Sequence, residues 1–147
     1  MCNGLQLTEK QSLLIHSGFD IVMNDEYYKN KLSDDAYNVC RRAATEQPFS
    51  GIYNDHWQTG KYLCVCCEVP IFTSKAKFES GCGWPSFYEA IEHSIRYLPD
   101  KSHNMQRIEI QCKNCQSHVG HVFNDGPQPT GKRYCVNSLS LFFLPSY

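Results

Sequence analysis

The stretch Arg107-Ile-Glu-Ile-Gln-Cys-Lys-Asn-Cys-Gln-Ser-His-Val-Gly-His-Val-Phe123 decides the fold of this chain. Its first five residues alternate between polar and apolar, which is the period of a β-strand with one buried face. Residues 118–123 predict a second strand. Between the two strands, Cys112 and Cys115 form a C-x-x-C pair at a position where a tight turn can present two sulfurs. The stretch therefore predicts β structure with a cysteine site at a strand end.

Strands are also predicted before and after this stretch. Residues 61–66 form a short apolar run, and residues 133–144 form a long run rich in aromatic and branched side chains, which we interpret as the final strand. The N-terminal part is helical instead. Asn24 can cap one helix, and Ser33, followed by two aspartates, can cap a second. We expect a mainly β (α+β) domain over residues 23–147, preceded by an extension, residues 1–22, that carries no clear motif.

Composition excludes several classes of function. The 147 residues suit one domain, and 14 basic against 15 acidic residues leave no basic field for nucleic acid. No apolar stretch approaches the length of a membrane span, and the N-terminus lacks the pattern of a secretory signal. We therefore expect neither nucleic acid nor a membrane as a partner. The nine cysteines then suggest a reducing, cytoplasmic setting in which thiols serve metal and redox chemistry.

Four cysteines have the spacing of a structural zinc site. Cys64 and Cys67 form a C-x-x-C pair like that of Cys112 and Cys115, and two such pairs supply four thiolates to one tetrahedral ion. Such a site has no open position for substrate, so we predict one structural Zn²⁺ per chain. The alternative is a redox pair at each C-x-x-C, without the βαβ setting that favours one. Cys66, next to Cys67 on a strand, is expected to point away from the metal.

A second kind of cysteine occurs in the final predicted strand. Period two places Arg133, Cys135 and Asn137 on one face. An arginine near a thiol favours the nucleophilic thiolate, and an amide can orient a polar ligand. Taken alone, a half-buried cysteine beside a surface arginine is the simpler interpretation.

Two further features favour a reactive site. His118 and His121 would lie on opposite faces of a regular strand, but Gly120 allows a bulge that brings both rings to one side, where they could activate a thiol or deliver a proton. Metal ligands or core histidines are equally plausible for the pair alone. Cys82 is flanked by glycines, which suggests a mobile thiol, and Trp84 presents an aromatic surface nearby, although a core tryptophan is the plainer interpretation.

Together these elements resemble the B class of methionine sulfoxide reductases, the methionine-R-sulfoxide reductases. Weaker similarity extends back to about Asn24, and residues 1–22 fall outside it. The matching segments are Cys64-x-x-Cys67, Ser80-Gly-Cys-Gly-Trp-Pro-Ser-Phe87, Cys112-x-x-Cys115, His118-Val-Gly-His-Val-Phe-Asn-Asp-Gly-Pro127 and Gly131-Lys-Arg-Tyr-Cys-Val-Asn-Ser138.

The resemblance implies two antiparallel sheets, with zinc tying loops away from the active face. It implies thiol-dependent reduction of the R epimer of methionine sulfoxide in proteins or peptides, with thioredoxin as reductant. By this similarity Cys135 is the catalytic cysteine, Cys82 the resolving cysteine and Trp84 the wall for the substrate methyl group. The remaining matches are histidines that assist at the sulfoxide oxygen and other active-site positions: His118, His121, Arg133, Asn137 and Asp125.

Chemistry supports these roles. A sulfoxide oxygen leaves poorly unless it is protonated, so attack by Cys135 needs an acid, the role we assign to His121 with support from His118. A sulfenic acid on Cys135 would then be attacked by Cys82 to give a disulfide. Two rivals remain: a non-catalytic binding module on the same scaffold, which needs no thiol pair, and a zinc-ribbon nucleic-acid binder, which would need a basic face.

Overall fold

The computed structural model describes residues 24–146, so the predicted extension of residues 1–22 lies outside the described residues. The chain starts with two short helices, α1 (Asp25–Lys31) and α2 (Asp34–Arg42). Asn24 and Ser33 are their N-caps, and each side chain accepts a hydrogen bond from a backbone N–H three residues on. The two predicted helix starts are confirmed, because capping is a local property that the residue types determine.

Nine described strands follow the helices and form two antiparallel sheets. The smaller sheet has the order β2-β1-β9, and the larger has the order β3-β4-β8-β7-β6-β5. This confirms the predicted mainly β class. The strands are β1 (Gly60–Cys64), β2 (Pro70–Thr73), β3 (Lys77–Phe78), β4 (Ser86–Phe87), β5 (Ile95–Asp100), β6 (Arg107–Cys112), β7 (His118–Phe123), β8 (Arg133–Val136) and β9 (Leu141–Pro145).

Aromatic side chains from both sheets pack between them. Phe72 of the small sheet stacks on Phe87 of the large sheet, with ring centroids 4.2 Å apart, and also meets the edge of Tyr134. Tyr62 packs edge-on against Phe87 at 5.2 Å. Because side chains alternate along a strand, burying Phe87 and Tyr134 on this inner face turns their neighbours Ser86 and Cys135 to the other face.

The prediction of one long final strand over residues 133–144 is wrong. The chain leaves the large sheet after β8, makes a 3₁₀ turn over Ser138–Ser140, and enters the small sheet as β9. Polar side chains cause the break. Asn137 donates its amide to the carbonyl of Val119, and Ser140 donates its hydroxyl to the carbonyl of His118. These bonds to the backbone replace the ladder that a continuous strand would make.

Candidate active site

Four cysteine sulfurs gather where the two sheets meet. Cys64 ends β1 and Cys112 ends β6, and each begins a tight turn that supplies a second sulfur. The sulfurs of Cys64 and Cys115 are 3.6 Å apart, those of Cys67 and Cys112 are 3.5 Å apart, and all four lie within 4.8 Å of one another. The two C-x-x-C pairs, distant in sequence, therefore converge on one point.

The helices cover this cysteine cluster with positive charge. Arg41 of α2 donates to the carbonyl of Cys115 at 2.9 Å and to the hydroxyl of Ser117 at 3.2 Å. Lys31, at the end of α1, donates to the carbonyl of Cys66. The cations offset the negative charge that four thiolates bring, which is a requirement for a buried anionic site. Cys66 is buried, but it stands outside the group of four.

The register of the large sheet assembles a second site on its outer face. Cys135 of β8 lies opposite Ser86 of β4 on one side and His121 of β7 on the other. His121 in turn lies opposite Glu109 of β6. Directly paired residues share a face, so a hydroxyl, a thiol, an imidazole and a carboxylate form one row across four strands.

The loop before β4 brings a second thiol to this row. Cys82 Sγ lies 3.7 Å from Cys135 Sγ, and both thiols are free. Gly81 and Gly83 have φ values of 75° and 97°, a left-handed backbone that glycine adopts without strain. These two glycines fold the loop back over Cys135. A disulfide needs sulfurs about 2 Å apart, so a small shift of the loop would join the two residues.

The contact between the two thiols shifts their pKa values in opposite directions. The hydrogen bond from the Cys135 thiol lowers the pKa of Cys82 to about 4, with further help from the hydroxyls of Ser80 and Ser86. The hydrogen bond to the Cys82 anion, together with burial, raises the pKa of Cys135, and the guanidinium of Arg133 opposes this rise. The pair is therefore best described as one unit that carries a single proton and a single negative charge.

An ion pair fixes the cation beside the thiols. Arg133 donates from Nε and Nη2 to the two carboxylate oxygens of Asp125, at 2.9 and 3.1 Å, and its guanidinium lies 4.4 Å from the ring centroid of Phe123. Asp125 is exposed, and the bidentate bond holds its pKa below the usual range. A guanidinium held on both sides supplies positive charge to the pair without moving.

Both predicted histidines lie on the outer face, next to each other. Their ring centroids are 5.6 Å apart. The bulge predicted around Gly120 is present, because Ile110 pairs with Gly120 whereas Gln111 pairs with His118, which leaves Val119 as an extra residue in β7. Without this extra residue, His118 and His121 would point to opposite faces.

Each histidine is held by a carboxylate. His121 Nε2 lies 2.7 Å from Asp100 Oδ2, and His118 Nδ1 lies 2.7 Å from Glu109 Oε2. The bond to His121 holds the pKa of Asp100 below its usual range, so Asp100 is an anion and Nε2 of His121 must donate to it. Burial lowers the pKa of His121, and the bond to Asp100 partly opposes this. Because Nε2 donates to Asp100, a proton for a bound substrate must come from the other ring nitrogen of the protonated imidazole, and the lowered pKa reduces the fraction of rings that carry it.

Trp84 and Asn137 are tied to one residue of the loop before β1. The indole N–H of Trp84 donates to the carbonyl of Glu46 at 3.1 Å. The amide oxygen of Asn137 accepts from the N–H of Glu46 at 3.0 Å, and the amide nitrogen donates to the carbonyl of Val119 at 3.1 Å. Both ends of the Asn137 amide are thus engaged by the backbone. A direct contact between Asn137 and substrate stays a prediction.

The model of one protein family, the SelR domain, matches residues 32–145, which is most of the chain. The chain belongs to the SelR-domain family.

Curated relatives of this SelR domain share a name. "Peptide methionine sulfoxide reductase MsrB" of Alteromonas mediterranea is 56% identical over 117 residues, covering 79% of this chain and 82% of the relative. The protein of the same name from Thioalkalivibrio sulfidiphilus is 52% identical over 126 residues, covering 85% and 92%. That from Teredinibacter turnerae is 54% identical over 121 residues, covering 82% and 90%. The predicted resemblance is confirmed.

In the SelR domain, Cys82 approaches Cys135, Arg133 pairs with Asp125, and the two histidines lie side by side, while the two C-x-x-C pairs cluster separately. Three carboxylates that the sequence did not single out hold residues of the site. Asp100 and Glu109 hold the histidines, and Glu46 holds Trp84 and Asn137. The alternation of residues 107–111 places Glu109 on the same face as Arg107, so the sequence contained a signal that could have identified Glu109 as a site residue. Asp100 and Glu46 belong to no motif, and only the tertiary structure shows their partners.

The cysteine cluster of the SelR domain fits a structural metal. A tetrahedral ion with Zn–S distances near about 2.3 Å requires sulfurs about 3.8 Å apart, which is within the range of the four sulfurs here. All four candidate donors are cysteine sulfurs, and four cysteines are a ligand set of closed zinc sites. Within residues 24–146, no helix combines the length and the apolarity needed to cross a lipid bilayer.

Proposed function

We propose that this chain is a methionine-R-sulfoxide reductase in which Cys135 attacks the substrate, Cys82 resolves the product, and thioredoxin restores both thiols. The observation that carries the proposal is the 3.7 Å separation of Cys82 and Cys135 beside the half-buried pair of His121 and Asp100. A binding module has no need for two thiols at bridging distance. The names of the relatives support the same substrate class.

The first step transfers oxygen from the substrate to the enzyme. The Cys135 thiolate attacks the electrophilic sulfur of the sulfoxide, and the oxygen takes a proton from His121. In the net reaction the oxygen moves to the Cys135 sulfur. Methionine leaves, reduced by two electrons, and Cys135 becomes a sulfenic acid, oxidised by two electrons. Arg133 favours the anion on Cys135, and His118 supports the proton transfer.

The second step forms a disulfide. The Cys82 thiolate attacks the sulfur of the sulfenic acid, the new S–S bond forms, and the S–O bond breaks as hydroxide takes up a proton and leaves as water. The flanking glycines of Cys82 allow the small shift that this requires. The two thiols of thioredoxin then reduce the disulfide and are themselves oxidised. Trp84, two residues from both Cys82 and Ser86 in sequence, would receive the S-methyl group and so select the R epimer.

We also propose one Zn²⁺ held by Cys64, Cys67, Cys112 and Cys115. When bound, the ion supplies folding free energy by crosslinking two turns, and it takes no part in sulfur chemistry because its four positions are filled.

The domain of residues 23–147 should suffice for activity, since residues 1–22 precede the matched segment. A chain starting at residue 23 with unchanged kcat/KM would support these bounds, whereas loss of activity would extend the domain into residues 1–22.

The proposal is tested by assaying the full chain on each epimer of a methionine sulfoxide peptide with thioredoxin, thioredoxin reductase and NADPH. Cys135→Ser should abolish reduction of the R epimer. Cys82→Ser should release about one methionine per enzyme in a single turnover and lose thioredoxin-driven cycling. Cys40→Ser is a matched control because Cys40 is buried in α2, outside the proposed site. Turnover by Cys135→Ser, or faster reduction of the S epimer by the unaltered chain, would contradict the proposal.

A further inference from the structure

Glu46 is a buried carboxylate that no step of the proposed reaction uses. It is 6% exposed, and it lies in the loop between α2 and β1. Its Oε1 accepts a hydrogen bond from the N–H of Leu139 at 3.0 Å, and its Oε2 has no hydrogen-bond partner within residues 24–146. Gly51 lies against that oxygen so closely that an added Cβ would be 2.4 Å from it. A buried carboxylate oxygen without a hydrogen-bond partner costs free energy, so its presence at this position calls for a structural or functional explanation.

Glu46 and the turn after Cys135 exchange hydrogen bonds. The 3₁₀ turn over Ser138–Ser140 receives no side-chain cap from its own N-cap residue, Asn137. The carboxylate of Glu46 caps it instead, through the N–H of Leu139, while the amide oxygen of Asn137 accepts the N–H of Glu46. The exchange has the logic of a capping box, but its two halves lie on segments far apart in sequence.

A third hydrogen bond connects Glu46 to Trp84. The carbonyl of Glu46 accepts the indole N–H of Trp84 at 3.1 Å. Trp84 precedes β4, and Asn137 follows β8 two residues after Cys135. One residue thus contacts, through its N–H, its carbonyl and its carboxylate, the two segments between which a sulfoxide would have to fit.

We infer that Glu46 is a positioning residue that sets the separation of Trp84 from the Cys135 strand, and through it the binding of the sulfoxide methyl group. This inference rests on the proposed function. The carboxylate anchors the residue to the turn, and the anchored backbone holds the indole. Without the carboxylate, the loop and the indole lose their fixed place, while Cys82, Cys135 and the histidines keep all of their own contacts. The effect should therefore fall on substrate binding rather than on thiol reactivity.

Steady-state kinetics of Glu46→Ala and Glu46→Gln test the inference, with Glu92→Ala as the matched control because the Glu92 side chain is 87% exposed. For Glu46→Ala we expect kcat/KM on the R epimer to fall roughly 10- to 100-fold, mainly through KM. Glu46→Gln keeps an acceptor for Leu139 and should stay within about threefold of the unaltered chain. Alkylation of Cys135 by iodoacetamide, measured in a Cys82→Ser background, should be unchanged in both.

A double-mutant cycle with Trp84→Phe isolates the contact. Phenylalanine keeps an aromatic wall but lacks the N–H that Glu46 accepts, so the losses in Trp84→Phe and Glu46→Ala should overlap rather than add. Additive losses, an unchanged KM in Glu46→Ala, or an equal loss in Glu46→Gln would each overturn the inference.

If the circular dichroism spectrum shows that Glu46→Ala does not fold, the Glu46→Gln and Trp84→Phe variants still test the inference. A single Trp84→Phe variant with unaltered KM would contradict the inference, because the indole bond would then have no effect on binding. An unaltered chain that reduces neither epimer would instead refute the proposed function, so the two failures are distinguishable.

Discussion

The coupling between Cys82 and Cys135 determines which of the two sulfurs carries the negative charge. At 3.7 Å the two sulfurs stabilise one anion between them, and a second anion is opposed by the first. Arg133, fixed by Asp125, favours charge on Cys135, whereas the hydroxyls of Ser80 and Ser86 favour charge on Cys82. In the proposed mechanism, attack by Cys135 therefore requires its proton to move to Cys82, and Arg133 favours that transfer.

In the proposed mechanism, Asp100 should control how often His121 carries the proton that it donates to the sulfoxide. Its hydrogen bond raises the pKa of His121 against the larger effect of burial, which lowers it. Asp100→Asn removes that support, so the pKa of His121 should fall further. Less imidazolium is then present at any given pH, so the limb of the pH profile that requires protonated His121 should move to lower pH. At neutral pH we expect kcat/KM to fall roughly 10-fold or more, because a smaller fraction of the general acid is protonated.

NMR titration of the His121 ring measures this directly, alongside the pH dependence of kcat/KM. Asp25→Asn is the matched control, because Asp25 is exposed at the start of α1. An unchanged or raised His121 pKa in Asp100→Asn would contradict the assignment of Asp100 as the partner of that ring.

Sequence motifs predicted the thiols and the rings of this site but not the carboxylates that hold them. Cys82 and Cys135 stand in motifs with recognisable flanking residues, and His118 and His121 flank a glycine. Asp100 and Glu46 reach their partners only through strand pairing and loop packing, respectively. A carboxylate has no local signature when its partner is distant in sequence.

The bulge in β7 is the element on which the site depends. It aligns both histidines, and Gly120 within it lets β8 approach closely, since an added Cβ would lie 2.0 Å from the carbonyl oxygen of Cys135. Sequence could suggest this bulge because a glycine between two histidines is unusual in a strand. The sequence does not show that β8 pairs with the bulged strand β7.

Gly120→Ala should therefore damage both stability and activity. The added methyl must push β8 away, an overpacking cost of about 1–3 kcal/mol, and Cys135 moves with the strand. We expect a lower denaturation midpoint in urea and slower alkylation or turnover at Cys135. Gly131→Ala is the control, since its φ of 71° carries strain but nothing lies within 4 Å of the added carbon. Gly120 itself has no left-handed backbone, so a stability loss in Gly120→Ala no greater than that in Gly131→Ala would contradict a costly clash with β8.

The shortest strands could not be predicted from the sequence, for a physical reason. Strands β3 and β4 have two residues each, too few to show a period, yet β4 positions Ser86 against Cys135. The predicted strand over residues 61–66 ends at Cys64 because the next residues form the first cysteine turn. Local capping and alternation were predictable, whereas the switch between sheets at Ser138–Ser140 depends on side-chain bonds to β7.

At the scale of the whole molecule, the cysteine cluster joins the two sheets and the two helices at one point. Cys64 belongs to the small sheet and Cys112 to the large sheet, and α1 and α2 cover the cluster with Lys31 and Arg41. The β6 strand that ends at Cys112 also carries Glu109, the partner of His118. A metal here would stabilise the arrangement of both sheets and thereby the active-site row without contacting substrate.

Loss of one sulfur should therefore remove the metal and most of the stability. Binding of a structural zinc contributes roughly 10–16 kcal/mol in small zinc domains, which matches or exceeds the usual 5–15 kcal/mol stability of a domain. Cys112→Ser should thus lower zinc content from one per chain to near zero and abolish the cooperative thermal transition. Cys66→Ser is the matched control, because Cys66 is as buried as the ligands but outside their group. Zinc retained by Cys112→Ser and lost from Cys66→Ser would assign the fourth ligand to Cys66, and the convergence of the two C-x-x-C turns would then need another cause.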